Sequence, residues 1–174
     1  MMKFTLEQIA DATRGDVTEK GNSLFEGVST DSRSVSRGEL FVPVRGERYD
    51  GHDFIEDALQ KGAAGFIYGK QALDKNAARQ VAKKYDSTAV AVQDTLYALG
   101  ELARSARGRF PRLPLVAITG SSGKSTTKEM AAAIFAQTGR VLKNEGNLNN
   151  RVGLPLTLFG LSDDVDVAVV ELGT

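Results

Sequence analysis

Leu115-Val116-Ala117-Ile118-Thr119-Gly120-Ser121-Ser122-Gly123-Lys124-Ser125-Thr126 is the stretch on which the fold turns. It opens with a short apolar run of the kind buried in a parallel sheet, and Lys124 to Thr138, closed by Gly139, reads as a helix. A strand that passes through a glycine-rich turn into a helix is the setting of a phosphate-binding loop. The glycines let the backbone turn tightly and aim successive N–H groups at an anion, and the helix N-terminus adds partial positive charge. In that setting Lys124 would hold the β- and γ-phosphates of a nucleoside triphosphate, and the Ser125 hydroxyl would coordinate Mg2+. The loop is a shortened form of G-x-x-x-x-G-K-[ST], because Ile118 stands five positions before Gly123 and the other glycine is Gly120.

Downstream, a strand at Val141-Leu142 leads into Asn144-Glu145-Gly146-Asn147-Leu148-Asn149-Asn150, with four amides in seven residues. Such a composition suits a loop that hydrogen-bonds a polar ligand, and equally an ordinary turn-rich connection. After a short helical segment from Gly153, the strand Val165 to Leu172 carries Glu171 near its carboxyl end. In parallel sheets ligands bind at that edge, so Glu171 is a candidate Mg2+ ligand; the alternative is an exposed strand-end carboxylate.

Upstream lies a second α/β pattern. Thr5-Leu6-Glu7-Gln8 fits a capping box, and Gly15 can close its helix. Strand-like pieces follow at Gly27 to Thr30 and Glu39 to Val44. A helix from His52-Asp53 ends at Gly62, a strand runs from Ala64 to Tyr68, a helix lies near Ala72 to Tyr85, and a strand spans Thr88 to Val92. Asp94 can cap a further helix carrying Leu96, Leu99, Ala103 and Ala106, which Pro111 and Pro114 stop. The chain is therefore expected to be α/β: a small N-terminal α/β domain, residues 1–92, then a partial P-loop-type parallel sheet with flanking helices, residues 93–174.

The 174 residues carry 22 Lys+Arg and 22 Asp+Glu, are 41% hydrophobic and contain no Cys. Zero net charge argues against a general nucleic-acid or membrane-surface binder, and the absence of Cys excludes disulfide scaffolds, thiolate metal sites and cysteine nucleophiles. No apolar run approaches the ~18 residues of a membrane span, and no secretory leader pattern opens the chain, so a cytoplasmic location and no membrane insertion are expected. Charge is nonetheless uneven. Between Arg104 and Arg151 nine Lys and Arg face Glu129 and Glu145 alone, which makes an anionic partner plausible there. The Arg104 to Arg112 part of that excess reads as a solvated helix end.

Ile118 to Met130, Gly146-Asn147-Leu148-Asn149-Asn150 with Gly153 to Leu158, and Val170-Glu171-Leu172-Gly173 together resemble the ATP-binding domain of the Mur ligases. The similarity is greatest to the branch that joins D-alanyl-D-alanine to UDP-N-acetylmuramoyl-tripeptide. Ser29-Thr30-Asp31-Ser32-Arg33 and Leu40 to Phe54 are similar to that branch's N-terminal UDP-substrate domain, so the resemblance covers essentially the whole chain. It implies an ATP-dependent amide ligase of peptidoglycan precursor synthesis that works through an acyl phosphate. By position it implies ATP binding at Thr119, Gly120, Ser121, Ser122, Gly123, Lys124, Ser125, Thr126, Asn147 and Asn150. Lys124 would be catalytic, Ser125 and Glu171 would bind Mg2+, and Ser29, Thr30, Asp31, Ser32 and Arg33 would meet the UDP moiety, Arg33 through its forked donors. His52 is expected to start a helix rather than to catalyse.

In that family the central domain continues past the position of Thr174 and a third domain follows, carrying a carbamylated lysine, further metal and nucleotide ligands and the amine-substrate site. The resemblance therefore implies that this chain is a portion of such a ligase that does not ligate alone. Two other readings share parts of the pattern: a folylpolyglutamate-synthetase-like ligase, and a non-catalytic module that binds the UDP-substrate or nucleotide. A P-loop kinase would need a phosphoacceptor base and a lid, and the sequence offers no candidate for either.

Overall fold

The computed structural model describes residues 2–146 and 148–173. These divide into two compact units, one of Lys3–Leu102 and the other of Met2 with the described residues from Ala103 onward. The division falls within a helix, α4 (Thr95–Gly108), whose first turn is held by Asp94 accepting from the Tyr97 N–H.

The first unit is built on a five-stranded sheet in the order β2 (Asp16–Glu19), β7 (Thr88–Val92), β6 (Gly65–Gly69), β5 (Leu40–Phe41) and β4 (Val28–Ser29). β4 to β7 are parallel; β2 joins the edge of β7 antiparallel, with a register shift between Val17 and Glu19. A separate antiparallel pair is formed by β1 (Phe4–Thr5) and β3 (Leu24–Phe25). Alternation along the strands sends Phe41, Phe66, Tyr68, Ala89 and Ala91 to one face. There they pack with Ala58 and Leu59 of α2 (Ile55–Gln60) and with Ala78 and Ala82 of α3 (Lys75–Lys84). Leu40, Ile67, Val90 and Val92 point the other way and are buried as well.

Helix starts follow the capping residues in the sequence. Thr5 and Gln8 form the expected capping box on α1 (Leu6–Thr13), and Asp74 caps α3 by accepting from the Asn76 and Ala77 N–H groups. At the end of α1 the left-handed position is taken by Arg14 (φ 51°) rather than by Gly15. Gly15 meets a different demand, because a Cβ there would come within 2.5 Å of Val90 Cγ1. The helix expected from His52 begins as a 3₁₀ turn (Gly51–Phe54) before α2, and the strand expected through Val44 pairs only at Leu40–Phe41, ahead of Pro43, which has no N–H to donate.

The second unit is a three-stranded parallel sheet ordered β8 (Leu115–Ile118), β10 (Val167–Glu171), β9 (Val141–Lys143). Its helices are α5 (Lys124–Phe135), which ends three residues earlier than the pattern suggested and continues as turns to Gly139, and α6 (Gly153–Leu158). Ala131 and Ala132 of α5 pack on Val116, Ile118, Val141, Val167 and Val169. The chain leaves β8, crosses to β9 and returns to β10 between them, so the carboxyl ends of β8 and β10 lie side by side, with Glu171 in register with Ile118. Among the described residues no helix is long and apolar enough to cross a membrane.

Candidate functional site

Two side-chain constellations stand out, one in each unit. In the second, the strand β8 runs into the turn Gly120 to Gly123 and then α5. Gly120 (φ 143°) and Gly123 (φ 73°) adopt backbone conformations that residues with a Cβ rarely reach. Gly123 is also the N-cap of α5 and supplies no side-chain hydrogen bond to it, in contrast to Thr5 on α1 and Asp74 on α3. The first-turn amides have no intrahelical partner, so they stay available to an anion. Lys124 folds back over the turn, its Nζ donating 2.6 Å to the Gly120 carbonyl.

Period-two alternation places Glu171 on the same sheet face as Val167 and Val169, the face that α5 covers. Its carboxylate thereby meets the first turn of that helix: the Ser125 hydroxyl donates to Oε2 at 2.8 Å, and Asn149 Nδ2 donates to Oε1 at 2.7 Å. Glu171 is 2% exposed. These two donors, first Ser125 and then Asn149, together with the nearby Lys128 and Lys124 charges, hold the carboxyl below its usual pKa, outweighing burial. An ionised carboxylate and a hydroxyl 2.8 Å apart are hard oxygen donors. Among the described residues no cluster of three or more His, Cys, Asp or Glu could hold a metal. Mg2+ does not require one: it binds through one or two protein oxygens plus phosphates and water, so this pair fits it.

The other loop residues are placed as follows. Asn150 Oδ1 accepts from the Val152 and Gly153 N–H groups at the start of α6, and the Asn149 carbonyl accepts from Gly173 N–H. Thr119, Ser121, Ser122 and Thr126 are exposed around the turn. Asn147, expected on the nucleotide side, lies outside the described residues. Two residues with no individual role in the sequence reading, Asn144 of the amide-rich loop and Lys128 of the basic stretch, are buried here, and the Lys128 ammonium donates to the Asn144 carbonyl at 2.7 Å.

In the first unit, a cleft of about 1050 Å³ opens where the chain leaves β4 and β5. Thr30, Asp31, Ser32 and Arg33 line it; Ser29 sits behind them at the end of β4, its hydroxyl bonded within the turn to the Asp31 N–H and carbonyl. Arg33 grips Asp31 with Nε at 2.9 Å and Nη2 at 2.7 Å, and the Arg33 N–H also donates to Asp31 Oδ1. These bonds from Arg33 hold the Asp31 carboxyl down to about 2. The opposite wall is the Arg45–Asp50 loop, closed by Gly46 N–H on the Tyr49 carbonyl, which brings Arg48 and Tyr49 to the cleft. Neither is an individual site residue in the sequence reading, although both lie within the Leu40 to Phe54 segment that carries the family resemblance; Tyr49 is 73% exposed. Lys61, which donates to the Ser32 carbonyl at 2.8 Å, completes a set of three cations facing Asp31, Glu47 and Asp57. His52 is the second residue of the 3₁₀ turn, a helix-start position as expected, and bridges Asp50 and the Gly69 N–H.

A family model described as the Mur ligase family, catalytic domain, matches residues 24–107, and the Mur ligase middle domain matches residues 118–174. The chain belongs to the Mur ligase family. Within that family it is 41% identical, over 99% of its length, to the UDP-N-acetylmuramoyl-tripeptide–D-alanyl-D-alanine ligases of Treponema pallidum and Escherichia coli, of which it covers 38% and 35%. It thus spans little more than a third of the length of these Mur ligases. Among solved structures it superposes on MurF from Acinetobacter baumannii with a TM-score of 0.87 at 32% identity, covering 100% of this chain and 36% of that one. MurF ligase from Thermotoga maritima, solved in complex with ADP, gives a TM-score of 0.68 at 33% identity over 83% of this chain and 31% of that one.

Proposed function

We propose that this chain provides the UDP-substrate and ATP-loop parts of a ligase that adds D-alanyl-D-alanine to UDP-N-acetylmuramoyl-tripeptide in the cytoplasm. Residues 1–92 would form the UDP-substrate domain and residues 93–174 the start of the ATP-binding domain. The observation that carries the reading is the convergence of Lys124, Ser125, Asn149 and Glu171 at the uncapped N-terminus of α5. A carboxylate is a poor electrophile until its oxygen is phosphorylated. The tripeptide carboxylate attacks the γ-phosphorus of ATP and ADP leaves; the D-alanyl-D-alanine amine then attacks the acyl carbon, and phosphate leaves as the amide forms and the amine loses its proton.

In this scheme Lys124 exchanges the Gly120 carbonyl for phosphate oxygens, and the first-turn amides of α5 take the remaining charge. Ser125 and Glu171 would hold Mg2+, which supplies further neutralisation of the triphosphate when bound. Thr119 to Thr126 would surround the phosphates, and Asn150, with Asn147 by the family resemblance alone, would serve the nucleotide. Of Ser29 to Arg33, Thr30 to Arg33 would meet the UDP moiety in the cleft, with Ser29 bracing the turn behind them, and Arg48 and Lys61 would add cationic donors.

Isothermal titration of this chain separates the parts. Mg·ATP and UDP-N-acetylmuramoyl-tripeptide should each bind with one-to-one stoichiometry, and a folate should not. Binding of folate in place of the UDP-substrate would move the assignment to another ligase of the superfamily, and failure of both substrates to bind would overturn it.

A further inference from the structure

Among the described residues, Lys128 is the one Lys or Arg that is buried, with its side chain 1% exposed. Burying an ammonium carries a desolvation cost that an apolar side chain on the inner face of α5 would avoid. Its partners suggest what the charge does. Nζ donates to the Asn144 carbonyl at 2.7 Å and lies 3.2 Å from Glu129, which Lys143 also grips. Asn144 is fully buried, and its side chain holds both ends of one residue: Oδ1 accepts from the Glu171 N–H at 2.9 Å, and Nδ2 donates to the Glu171 carbonyl at 3.1 Å. Nδ2 donates as well to the Leu148 carbonyl at 3.0 Å, in the loop that carries Asn149.

The main chain of Glu171 is therefore clamped by Asn144, whose own main chain is clamped by Lys128, while Ser125 and Asn149 take the carboxylate. Lys128 stands three residues after Ser125, on the same side of α5, so the helix that supplies the hydroxyl also supplies the anchor. Building on the function proposed above, we propose that Lys128 and Asn144 are positioning residues that fix the Glu171 carboxylate opposite Ser125 for divalent-cation binding with the nucleotide. They touch neither nucleotide nor metal; they act through the backbone of β10 and the Asn-rich loop.

The test uses the whole chain and ADP as the probe, titrated with Mg2+ and with EDTA, in the wild type, Lys128→Met and Asn144→Ala, alongside thermal unfolding of each. In the wild type Mg2+ should tighten ADP binding. Both variants, where folded, should keep their Mg2+-free ADP affinity within about twofold and lose about tenfold of the Mg2+ enhancement, the scale on which partners of metal ligands act. A role in packing alone would lower both arms together, and that result overturns the proposal, as does a wild-type enhancement in either folded variant. Unfolding of both variants also overturns it in favour of a purely structural role. If the wild type binds no ADP under either condition, the function proposed above fails; if it binds ADP with full enhancement and the variants do too, only the positioning role fails.

Discussion

The Ser125 hydroxyl and the Glu171 carboxylate, 46 residues apart in sequence, meet at 2.8 Å and tie the first turn of α5 to the end of β10. Neither residue alone would mark a site. A serine after a loop lysine is common, and a glutamate at a strand end is ordinarily solvated. Their union depends on the strand order, which returns the chain to β10 beside β8 and puts Glu171 level with Ile118.

Glu171→Gln keeps the shape of this contact and removes its charge. A hydrogen bond to a charged group contributes about 1.5–3 kcal/mol, so Mg·ATP should bind roughly 10- to 100-fold more weakly in this variant. ATP in EDTA should bind unchanged or slightly better, since a negative charge near the phosphates is gone. Titration calorimetry under the two conditions reads the difference, and an equal loss in both would show that Glu171 serves the fold rather than the metal.

Asp31 and Arg33 make a second tight pair, this time across a turn. The Asp31 carboxyl is depressed from 3.8 to about 2, so its contribution is fully present above about pH 4 and is lost as pH falls toward 2. Asp31→Asn keeps an acceptor for the Arg33 N–H and removes the charge. Because the pair is open to solvent, the variant should be destabilised by only about 0.5–1 kcal/mol at pH 7, and the gap to wild type should close between pH 4 and pH 2. Urea unfolding as a function of pH measures it; a gap that stayed constant would mean the charge contributes nothing.

Most of the second unit was legible in the sequence, because its strands are short apolar runs flanked by turn residues, and Glu171 could be placed at the carboxyl edge of the sheet; that it lies on the face α5 covers could not, because both faces of its strand are buried. In the first unit β1, β2 and β3 were not. They are two to four residues long, and in β2 the apolar Val17 is exposed while Thr18 is buried, which inverts the pattern that periodicity detects. Thr18 is drawn inward by a 2.8 Å bond to the buried Tyr68 hydroxyl, a partner fifty residues away. Lys128 and Asn144 escaped for a related reason: a lysine and an asparagine read as surface residues until the fold supplies the partners that let them be buried. The Arg33 fork, anticipated as a phosphate grip, is engaged with Asp31, a contact no spacing rule specifies.

Arg48→Ala tests the cleft. The side chain is exposed and lies on the Arg45–Asp50 loop, so the variant should unfold at the wild-type temperature within about 1 °C, as surface changes of under ~0.5 kcal/mol do. In the function proposed above Arg48 is a cationic donor to the UDP moiety, so its loss should nevertheless weaken binding of UDP-N-acetylmuramoyl-tripeptide by about tenfold or more. Unchanged binding would remove Arg48 from the UDP-substrate site.

Two glycines should respond to alanine in opposite directions. Gly100 sits inside α4, and a Cβ there would meet nothing within 4 Å, so Gly100→Ala should stabilise the chain by about 0.5–1 kcal/mol. Gly123 also has room for a Cβ, but its φ of 73° is the left-handed conformation, and Gly123→Ala should cost about 1–2 kcal/mol. Forcing that residue toward a negative φ also turns the first-turn amides of α5, so nucleotide binding should fall with stability. Equal effects on stability at both positions would contradict the backbone argument.

His52, the single histidine, offers a test free of overlap. Its Nε2 lies 3.0 Å from the Gly69 N–H, which can only donate, so Nε2 must accept and the proton of the neutral ring belongs on Nδ1, facing Asp50 at 2.6 Å. This tautomer joins the Arg45–Asp50 loop, one wall of the cleft, to the end of β6. Nitrogen NMR of the ring at neutral pH should show a pyridine-like Nε2 and a pyrrole-like Nδ1, the reverse of the tautomer favoured by free histidine. His52→Ala removes the acceptor from Gly69 and the donor from Asp50, and should destabilise the first unit by about 1–3 kcal/mol. UDP-N-acetylmuramoyl-tripeptide binding should weaken with it, because the loop carrying Arg48 and Tyr49 loses its anchor. An Nε2-protonated ring in the spectrum would refute the bridge directly, whatever the variant's stability.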